Sequence, residues 1–206
     1  MPSAEANRGI DGLAVIVLAG GESRRFGSDK LVARLDDRTV LEHALDGIPA
    51  GTPIAVVGPD RPLSRPVTFL REDPPGGGPA AGLIAGLHWA LGLGATVIAT
   101  LPGDAPAGGW AAVRLVDALV SSDASGGAVV AVDAGGREQV LQLALPPDVA
   151  RHLIQLAGPG AGHGESVRRL LHRLAPHPRP VELVAGLTAD IDTTAQLSDF
   201  RNQNRA

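Results

Sequence analysis

The sequence has no cysteine and very few aromatic residues, and both absences limit what the protein can do. Its 206 residues include three Phe, two Trp and no Tyr. Without cysteine there is no disulfide framework, no thiolate zinc site and no cysteine nucleophile. Nucleic-acid surfaces need clustered basic residues and aromatic stacking platforms, whereas this chain carries a formal net charge of −4. We therefore expect no nucleic-acid partner.

The remaining composition is that of a globular domain. Hydrophobic residues make up 44% of the chain and charged residues 19%, which is too apolar and too weakly charged for a disordered protein. The length favours a single domain that buries about 70% of its unfolded surface. We expect a loose N-terminal tail over residues 1–12 and one domain over 13–206. Because the tail lacks the order of regions of a signal peptide, we expect a cytoplasmic protein.

One apolar stretch, residues 80–101, is long enough on length alone to cross a bilayer. Glycines interrupt it, and alanine dilutes its hydrophobicity. A buried helix over 80–91, a glycine stop at 92–94 and a strand over 96–101 explain the pattern better. We therefore expect no membrane segment.

Apolar runs with strand character alternate with runs at helical spacing. The first, residues 13–18, is continuously apolar, as in a strand covered on both faces. Further strands are predicted at 53–58, 67–70, 96–101, 128–132, 140–145 and 181–184, and helices at 39–45, 80–91, 110–121, 148–156 and 165–174. This order predicts a three-layer α/β fold, with helices on both faces of a mostly parallel sheet.

The most informative segment directly follows the first strand. It reads Leu18-Ala19-Gly20-Gly21-Glu22-Ser23-Arg24-Arg25-Phe26-Gly27-Ser28-Asp29-Lys30. Ligands of open α/β sheets bind at the carboxyl ends of strands, where glycines let backbone N–H groups approach phosphate oxygens and basic side chains add charge. The spacing fits neither a Walker A loop nor a dinucleotide fingerprint. The alternative is a strand-to-helix turn whose basic residues are merely solvated.

This segment resembles the signature of the nucleotidyltransferases related to molybdenum cofactor guanylyltransferase. The resemblance implies a Rossmann-like nucleotidyltransferase fold and a loop that wraps the triphosphate of a nucleotide. It assigns nucleotide contacts to Leu18, Ala19, Gly20, Gly21, Ser23 and Lys30. It also assigns catalytic roles to Arg25, Lys30 and Asp104.

A second segment is similar to the part of that family that borders the nucleotide base. Asp73 matches an acidic residue of the family, and Gly76–Gly82 matches its Gly-Pro-Leu-Ala-Gly stretch. The resemblance assigns Asp73, Gly78 and Gly82 to the nucleotide. The alternative is an ordinary loop followed by a helix that starts at Pro79.

Two aspartates are candidates for binding Mg²⁺. Asp104 follows a strand beside the expected phosphate site, where a single carboxylate suits a hydrated Mg²⁺ ion, and the family places its metal-binding aspartate in a similar Asp-x-Pro segment. Asp192 lies in a late segment that resembles the Asn-x-Asn-Thr-Pro segment of the guanylyltransferase. This chain has aspartates there, like the Asp-x-Asp-Thr of relatives that transfer other nucleotides, and Asp190 is the other candidate. The alternatives are a turn cap for Asp104 and a helix cap for Asp192.

Two further segments match the family weakly. Val140 stands where the family has proline near its acceptor site. Arg168 and Arg169 lie on a predicted helix, where either an acceptor phosphate or solvent is their partner.

The resemblance implies Mg²⁺-dependent transfer of GMP from GTP to the phosphate of molybdopterin, with release of pyrophosphate. Because Val140 and Asp192 depart from the guanylyltransferase pattern, a cytidylyltransferase acting on molybdopterin or a sugar phosphate is the alternative enzyme. A nucleotide- or pterin-binding accessory protein without catalysis is the alternative from a different class.

Overall fold

The computed structural model describes residues 10–21, 26–27, 29–121, 127–184 and 186–203. Its strands are β1 Leu13–Leu18, β2 Arg34–Leu35, β3 Arg38–Thr39, β4 Ile54–Val57, β5 Thr68–Leu70, β6 Val97–Pro102, β7 Val129–Val132, β8 Glu138–Leu145 and β9 Arg179–Glu182. Its α-helices are α1 Val40–Ala44, α2 Pro79–Gly92, α3 Gly108–Val120, α4 Pro147–Ala157, α5 Val167–His172 and α6 Thr194–Gln203. Of the predicted tail, residues 1–9 lie outside the described residues.

Seven strands form the central sheet in the order β5-β4-β1-β6-β8-β7-β9. β1 pairs in parallel with β4 and β6, β4 with β5, and β7 with β9. β8 is antiparallel to both of its neighbours, β6 and β7. Over the described residues the sheet is therefore mostly parallel, as predicted, and β8 runs in the reverse direction.

Helices cover both faces of this sheet. Val15 and Val17 of β1 belong to the core with α1 and α3, whereas Ala14 and Ile16 belong to the core with α2, α4 and α5. Successive side chains of a strand point to opposite faces, so a strand buried on both sides must be apolar at every position. This confirms the predicted three-layer α/β fold.

The long apolar stretch folds as a helix and a strand. Pro79 lies at the start of α2, where its missing N–H costs nothing, and Gly94 ends the helix with a φ of 73°. The chain then enters β6 at Val97. Among the residues that the structure describes, no helix is both long and apolar enough to cross a membrane.

A third, smaller core holds the end of the chain against the start of the domain. Leu35 and Val40 pack there with Ile191 and Leu197, and all four are buried. The two-residue strands β2 and β3 form an antiparallel pair at this place, and the sequence analysis missed them. Strands this short contain too few residues to show an apolar period. This core brings residues 190–192 beside the segment that follows the glycine-rich loop.

Candidate functional site

A cavity of about 660 Å³ lies at the carboxyl ends of the parallel strands β1, β4 and β6. It has the size of a small-molecule site and the position at which open α/β sheets bind ligands. Six residues of the predicted site line it: Leu18, Gly20, Gly21, Gly78, Gly82 and Asp104. The structure therefore brings the two glycine-rich segments and Asp104 together around one space.

Other predicted residues stand elsewhere. Ala19 is buried behind the cavity wall, where its N–H donates to the Val57 carbonyl at 2.8 Å, so it supports the loop from behind. Asp73 is exposed and does not line the cavity, whereas its neighbour Glu72 does, because adjacent side chains leave the backbone in different directions. Ser23 and Arg25 lie outside the described residues.

Lys30 connects the two predicted metal ligands. Its Nζ lies 2.6 Å from Asp104 Oδ2 and 2.8 Å from Asp192 Oδ1. The Lys30 side chain is 15% exposed, that of Asp104 22% and that of Asp192 45%. The site therefore opens to solvent on the Asp192 side and is closed around Lys30.

Local backbone contacts place these three side chains. Lys30 begins a short 3₁₀ helix whose first turn is capped by Asp29, because the Asp29 Oδ1 accepts a hydrogen bond from Leu31 N at 3.1 Å. Asp104 follows β6, and its carbonyl accepts the Ile191 N–H at 2.9 Å. This bond holds the segment that carries Asp192 against the end of β6.

The charged side chains around Lys30 shift the pKa values of Lys30 and Asp190. Burial alone would lower the pKa of the Lys30 ammonium, but hydrogen bonds to Asp104 and Asp192 outweigh it and raise that pKa above 10.5. Partial burial, followed by the negative charges of Asp192 and Asp104, raises the pKa of the nearby Asp190 carboxyl. Lys30 is therefore fully charged at neutral pH, and the carboxylates are crowded around it.

The residues present fit a hydrated divalent cation. Asp104 and Asp192 both pair with the Lys30 ammonium, so a cation bound beside Lys30 can reach one carboxylate directly and the other directly or through a water ligand. Within the described ranges, no group of three Asp, Glu or His side chains is close enough to hold a metal by itself. Mg²⁺ suits such an arrangement, since it takes one or two carboxylates and completes its octahedron with water and substrate phosphates.

The predicted acceptor-side arginine Arg168 pairs with the first residue of β8. Because β8 is reversed, its first residues lie at the same end of the sheet as the cavity, and Leu141 lines the cavity. The Arg168 guanidinium donates to the Glu138 carbonyl at 3.2 Å and lies 3.8 Å from its carboxylate. Arg169 is exposed. An acceptor contact of Arg168 stays a prediction.

Sequence reasoning missed Arg61, which follows β4 and whose side chain is only 5% exposed. Its guanidinium donates to the Ala19 carbonyl at 3.1 Å and to the Asp29 carboxylate at 2.8 Å. In the sequence it stands between Asp60 and Pro62 and looks like an ordinary loop cation. Its role depends on contacts more than 30 residues away, and no local pattern indicates them.

Known proteins share parts of this sequence and the whole of its fold. The chain is 35% identical over 98 residues to a molybdenum cofactor guanylyltransferase of Rhodobacter capsulatus, a match that covers 46% of this chain and 52% of that protein. The chain thus spans about half the length of this relative. It is 32% identical over 153 residues to a probable molybdenum cofactor guanylyltransferase of Mycobacterium bovis, covering 72% of this chain and 75% of that protein.

A solved structure matches the fold over nearly the whole chain. It is that of molybdopterin-guanine dinucleotide biosynthesis protein A from Archaeoglobus fulgidus, which superposes with a TM-score of 0.69 at 17% identity and covers 93% of this chain and 98% of that one. At this identity the likeness shows the fold. Residues 15–181 match the family described as the MobA-like NTP transferase domain, and the chain belongs to that family.

Proposed function

We propose that the protein is a nucleotidyltransferase that moves GMP from GTP to the phosphate of molybdopterin and releases pyrophosphate. The observation that carries the proposal is the Lys30–Asp104–Asp192 cluster at the edge of a glycine-lined cavity. The names of the relatives, molybdenum cofactor guanylyltransferase, support the choice of GTP and molybdopterin.

The cavity offers the contacts that a nucleotide needs. At the end of β1, Gly20 and Gly21 expose their backbone to the cavity. Gly78 is the N-cap residue of α2 and has no side chain with which to cap the helix. The positive end of the 14-residue helix α2 therefore faces the cavity and favours an anionic ligand. Leu18 and Leu141 supply aliphatic walls for a planar base, which fits a chain that contains so few aromatic residues.

The charges explain why a divalent cation belongs in the reaction. The Lys30 ammonium offsets only one of the two carboxylate charges, so Asp104 and Asp192 need a further counter-ion when a triphosphate binds beside them. Mg²⁺, when bound there, supplies charge neutralisation for the reacting phosphates. Asp104 and Asp192 would hold it, while Lys30 keeps a second positive charge beside the site.

No general base is needed in this mechanism. The acceptor phosphate is already ionised, so it can attack the α-phosphorus directly while the bond to pyrophosphate breaks. Catalysis then consists of alignment and charge stabilisation. Lys30, together with the predicted residue Arg25, would stabilise the negative charge that develops on pyrophosphate.

One observation favours a cytidylyltransferase as the second candidate. The Asp190-x-Asp192 pattern resembles that of relatives that transfer other nucleotides, and Asp192 pairs with Lys30 at 2.8 Å. The acceptor would then be molybdopterin or a sugar phosphate. A non-catalytic nucleotide- or pterin-binding protein is the remaining alternative.

A nucleotide panel separates these functions. Purified protein is incubated with Mg²⁺, molybdopterin and each of GTP, CTP, ATP and UTP, and pyrophosphate release is followed. We expect release with GTP. Release only with CTP would favour the cytidylyltransferase, and nucleotide binding without any release would favour the accessory protein.

Matched aspartate variants link any release to the site. We expect Asp104→Asn to reduce turnover by about two orders of magnitude or more, because the loss of one contact that stabilises transition-state charge has an effect of this size. Asp46→Asn is the control, because Asp46 also forms an ion pair, with Arg38 at 2.9 Å, and takes no part in the cluster. Equal losses in the two variants would contradict the proposed role of Asp104.

A further inference from the structure

Arg61 is a charged residue buried next to the glycine-rich loop. Its side chain is 5% exposed, and its residue as a whole 8%. A buried guanidinium is costly unless its N–H groups are paired. Arg61 meets this condition with a carboxylate and two carbonyls, those of Asp29, Ala19 and Pro59.

Two of these partners lie at opposite ends of the same loop. Ala19 follows β1 and immediately precedes Gly20, whereas Asp29 immediately precedes Lys30. The Arg61 Nη1 donates to the Ala19 carbonyl at 3.1 Å, and its Nε donates to the Asp29 Oδ2 at 2.8 Å. A single planar group thus binds both Ala19 and Asp29, the residues that flank the segment 20–28.

The contact at Ala19 sets the direction of the first loop amide. The Ala19 N–H is already bound to the Val57 carbonyl, and Arg61 holds the Ala19 carbonyl from the other side of the residue. In a trans peptide the C=O and the following N–H point in opposite directions. Arg61 therefore also fixes the direction of the Gly20 N–H, on a residue that lines the cavity.

The contact at Asp29 acts on Lys30. Both oxygens of the Asp29 carboxylate are bonded within the part of the chain that the structure describes: Oδ2 accepts from Arg61, and Oδ1 accepts from Leu31 N in the turn that Lys30 begins. Rotation of the carboxylate would break both bonds. Arg61 therefore holds the cap of the short helix from which Lys30 reaches Asp104 and Asp192.

We propose that Arg61 is a positioning residue that holds the two flanks of the glycine-rich loop, at Ala19–Gly20 and at Asp29–Lys30, so that they bind the phosphates of the nucleotide. The inference rests on the proposed function, in which this loop is the triphosphate site. Arg61 lies behind the loop and acts through Ala19 and Asp29. Loss of Arg61 should weaken phosphate binding by more than its effect on the melting temperature explains.

Arg65 provides a matched control four residues away. Its guanidinium also binds two backbone carbonyls, those of Ile48 at 2.8 Å and of Pro49. These carbonyls lie in the connection between α1 and β4 rather than in the glycine-rich loop. Arg65→Gln therefore removes guanidinium bonds to two backbone carbonyls, as Arg61→Gln does, without touching the loop.

The experiment measures Mg²⁺-pyrophosphate binding by calorimetry for the full-length wild type, Arg61→Gln, Arg61→Lys and Arg65→Gln. Pyrophosphate is the probe because its affinity does not depend on the base or the acceptor. Arg61→Gln should weaken it by about tenfold to a hundredfold, the scale of losing an outer-shell partner that orients the groups in contact with a ligand. Arg61→Lys should recover part of the loss, because an ammonium reaches one acceptor but lacks the guanidinium fork.

Two further readouts separate positioning from a general loss of stability. The KM for the nucleotide should rise in Arg61→Gln, while the KM for the acceptor stays near that of the wild type. Asp29→Asn should also weaken pyrophosphate binding, and the double variant should add less than the sum of the single losses. These variants also carry the test if Arg61→Gln fails to fold.

The outcomes are distinct. If Arg61→Gln binds pyrophosphate like the wild type, or no more weakly than Arg65→Gln at equal loss of melting temperature, Arg61 has only a structural role and the inference is wrong. A wild type that binds pyrophosphate but transfers no GMP would contradict the proposed substrates and leave the inference intact. A wild type that does not bind pyrophosphate would contradict both.

Discussion

Gly86 lies where α2 packs closely against strand β1. A Cβ atom at this position would lie 2.4 Å from Cγ2 of Ile16, well inside van der Waals contact. Ile16 is fully buried, and its strand is paired on both sides with β4 and β6, so it has little room to withdraw. Gly86→Ala therefore forces a methyl group into a packed interior.

The expected stability change combines two opposing effects. Replacing Gly by Ala inside a helix gains about 1 kcal/mol in helix propensity, whereas overpacking a core costs about 1–3 kcal/mol. Because Ile16 cannot move away freely, we expect Gly86→Ala to lower the free energy of unfolding by about 1–2 kcal/mol. For a chain of this size that lowers the melting temperature by about 2–8 °C.

Urea denaturation of two variants tests this reasoning. Gly92→Ala makes the same chemical change in the same helix, at a position where no described atom lies within 4 Å of the added Cβ, and should stabilise by up to about 1 kcal/mol. Combining Gly86→Ala with Ile16→Ala should give a favourable coupling energy of about 0.5–3 kcal/mol. Equal stabilisation by Gly86→Ala and Gly92→Ala would refute the close packing of α2 on β1.

Three further predictions concern the ion cluster and the start of α1. Lys30→Ala should reduce pyrophosphate release about a hundredfold or more while circular dichroism stays unchanged, and full activity would remove Lys30 from the mechanism. Thr39→Ala should cost about 1 kcal/mol in urea denaturation, because the Thr39 and Glu42 side chains form a capping box at α1; an unchanged midpoint would contradict that role. The backbone hydrogen bond from Thr39 lowers the pKa of Glu42 below its usual 4.5. The Glu42 carboxylate therefore stabilises the folded state fully above pH 4.5, and this stabilisation is lost as the pH falls through the lowered pKa. Glu42→Gln should therefore flatten the acid side of a plot of melting temperature against pH, and an unaltered slope would show that the bond is not formed.

The parts of the fold that could be predicted depend on local signals. The uninterrupted apolar run of β1 indicates a strand covered on both faces, and Pro79 with Gly94 mark the ends of α2 closely. The reversed direction of β8 also left a signal. A loop of five residues containing Gly135 and Gly136 separates β7 from β8, a length typical of an antiparallel hairpin. The alternation of strands and helices alone does not show it.

In the site, too, only the residues with a local sequence signal could be predicted. Gly20, Gly21 and Asp104 could be located because each follows a strand end, and parallel strands end at one edge of the sheet. The contact between Lys30 and Asp192 joins residues 162 positions apart, and it depends on the small third core that the sequence pattern does not reveal. Arg61 is similar, since its burial follows from how β4 lies against β1.

The central claim, nucleotidyl transfer to a phosphorylated acceptor, is tested most directly by following the labelled phosphates of GTP. The protein is incubated with Mg²⁺ and molybdopterin and with GTP labelled either at the α- or at the γ-phosphate. We predict that the α-label appears in a product joined to the pterin and that the γ-label appears in pyrophosphate. Appearance of the γ-label as inorganic phosphate, with the α-label left in GDP, would contradict the account.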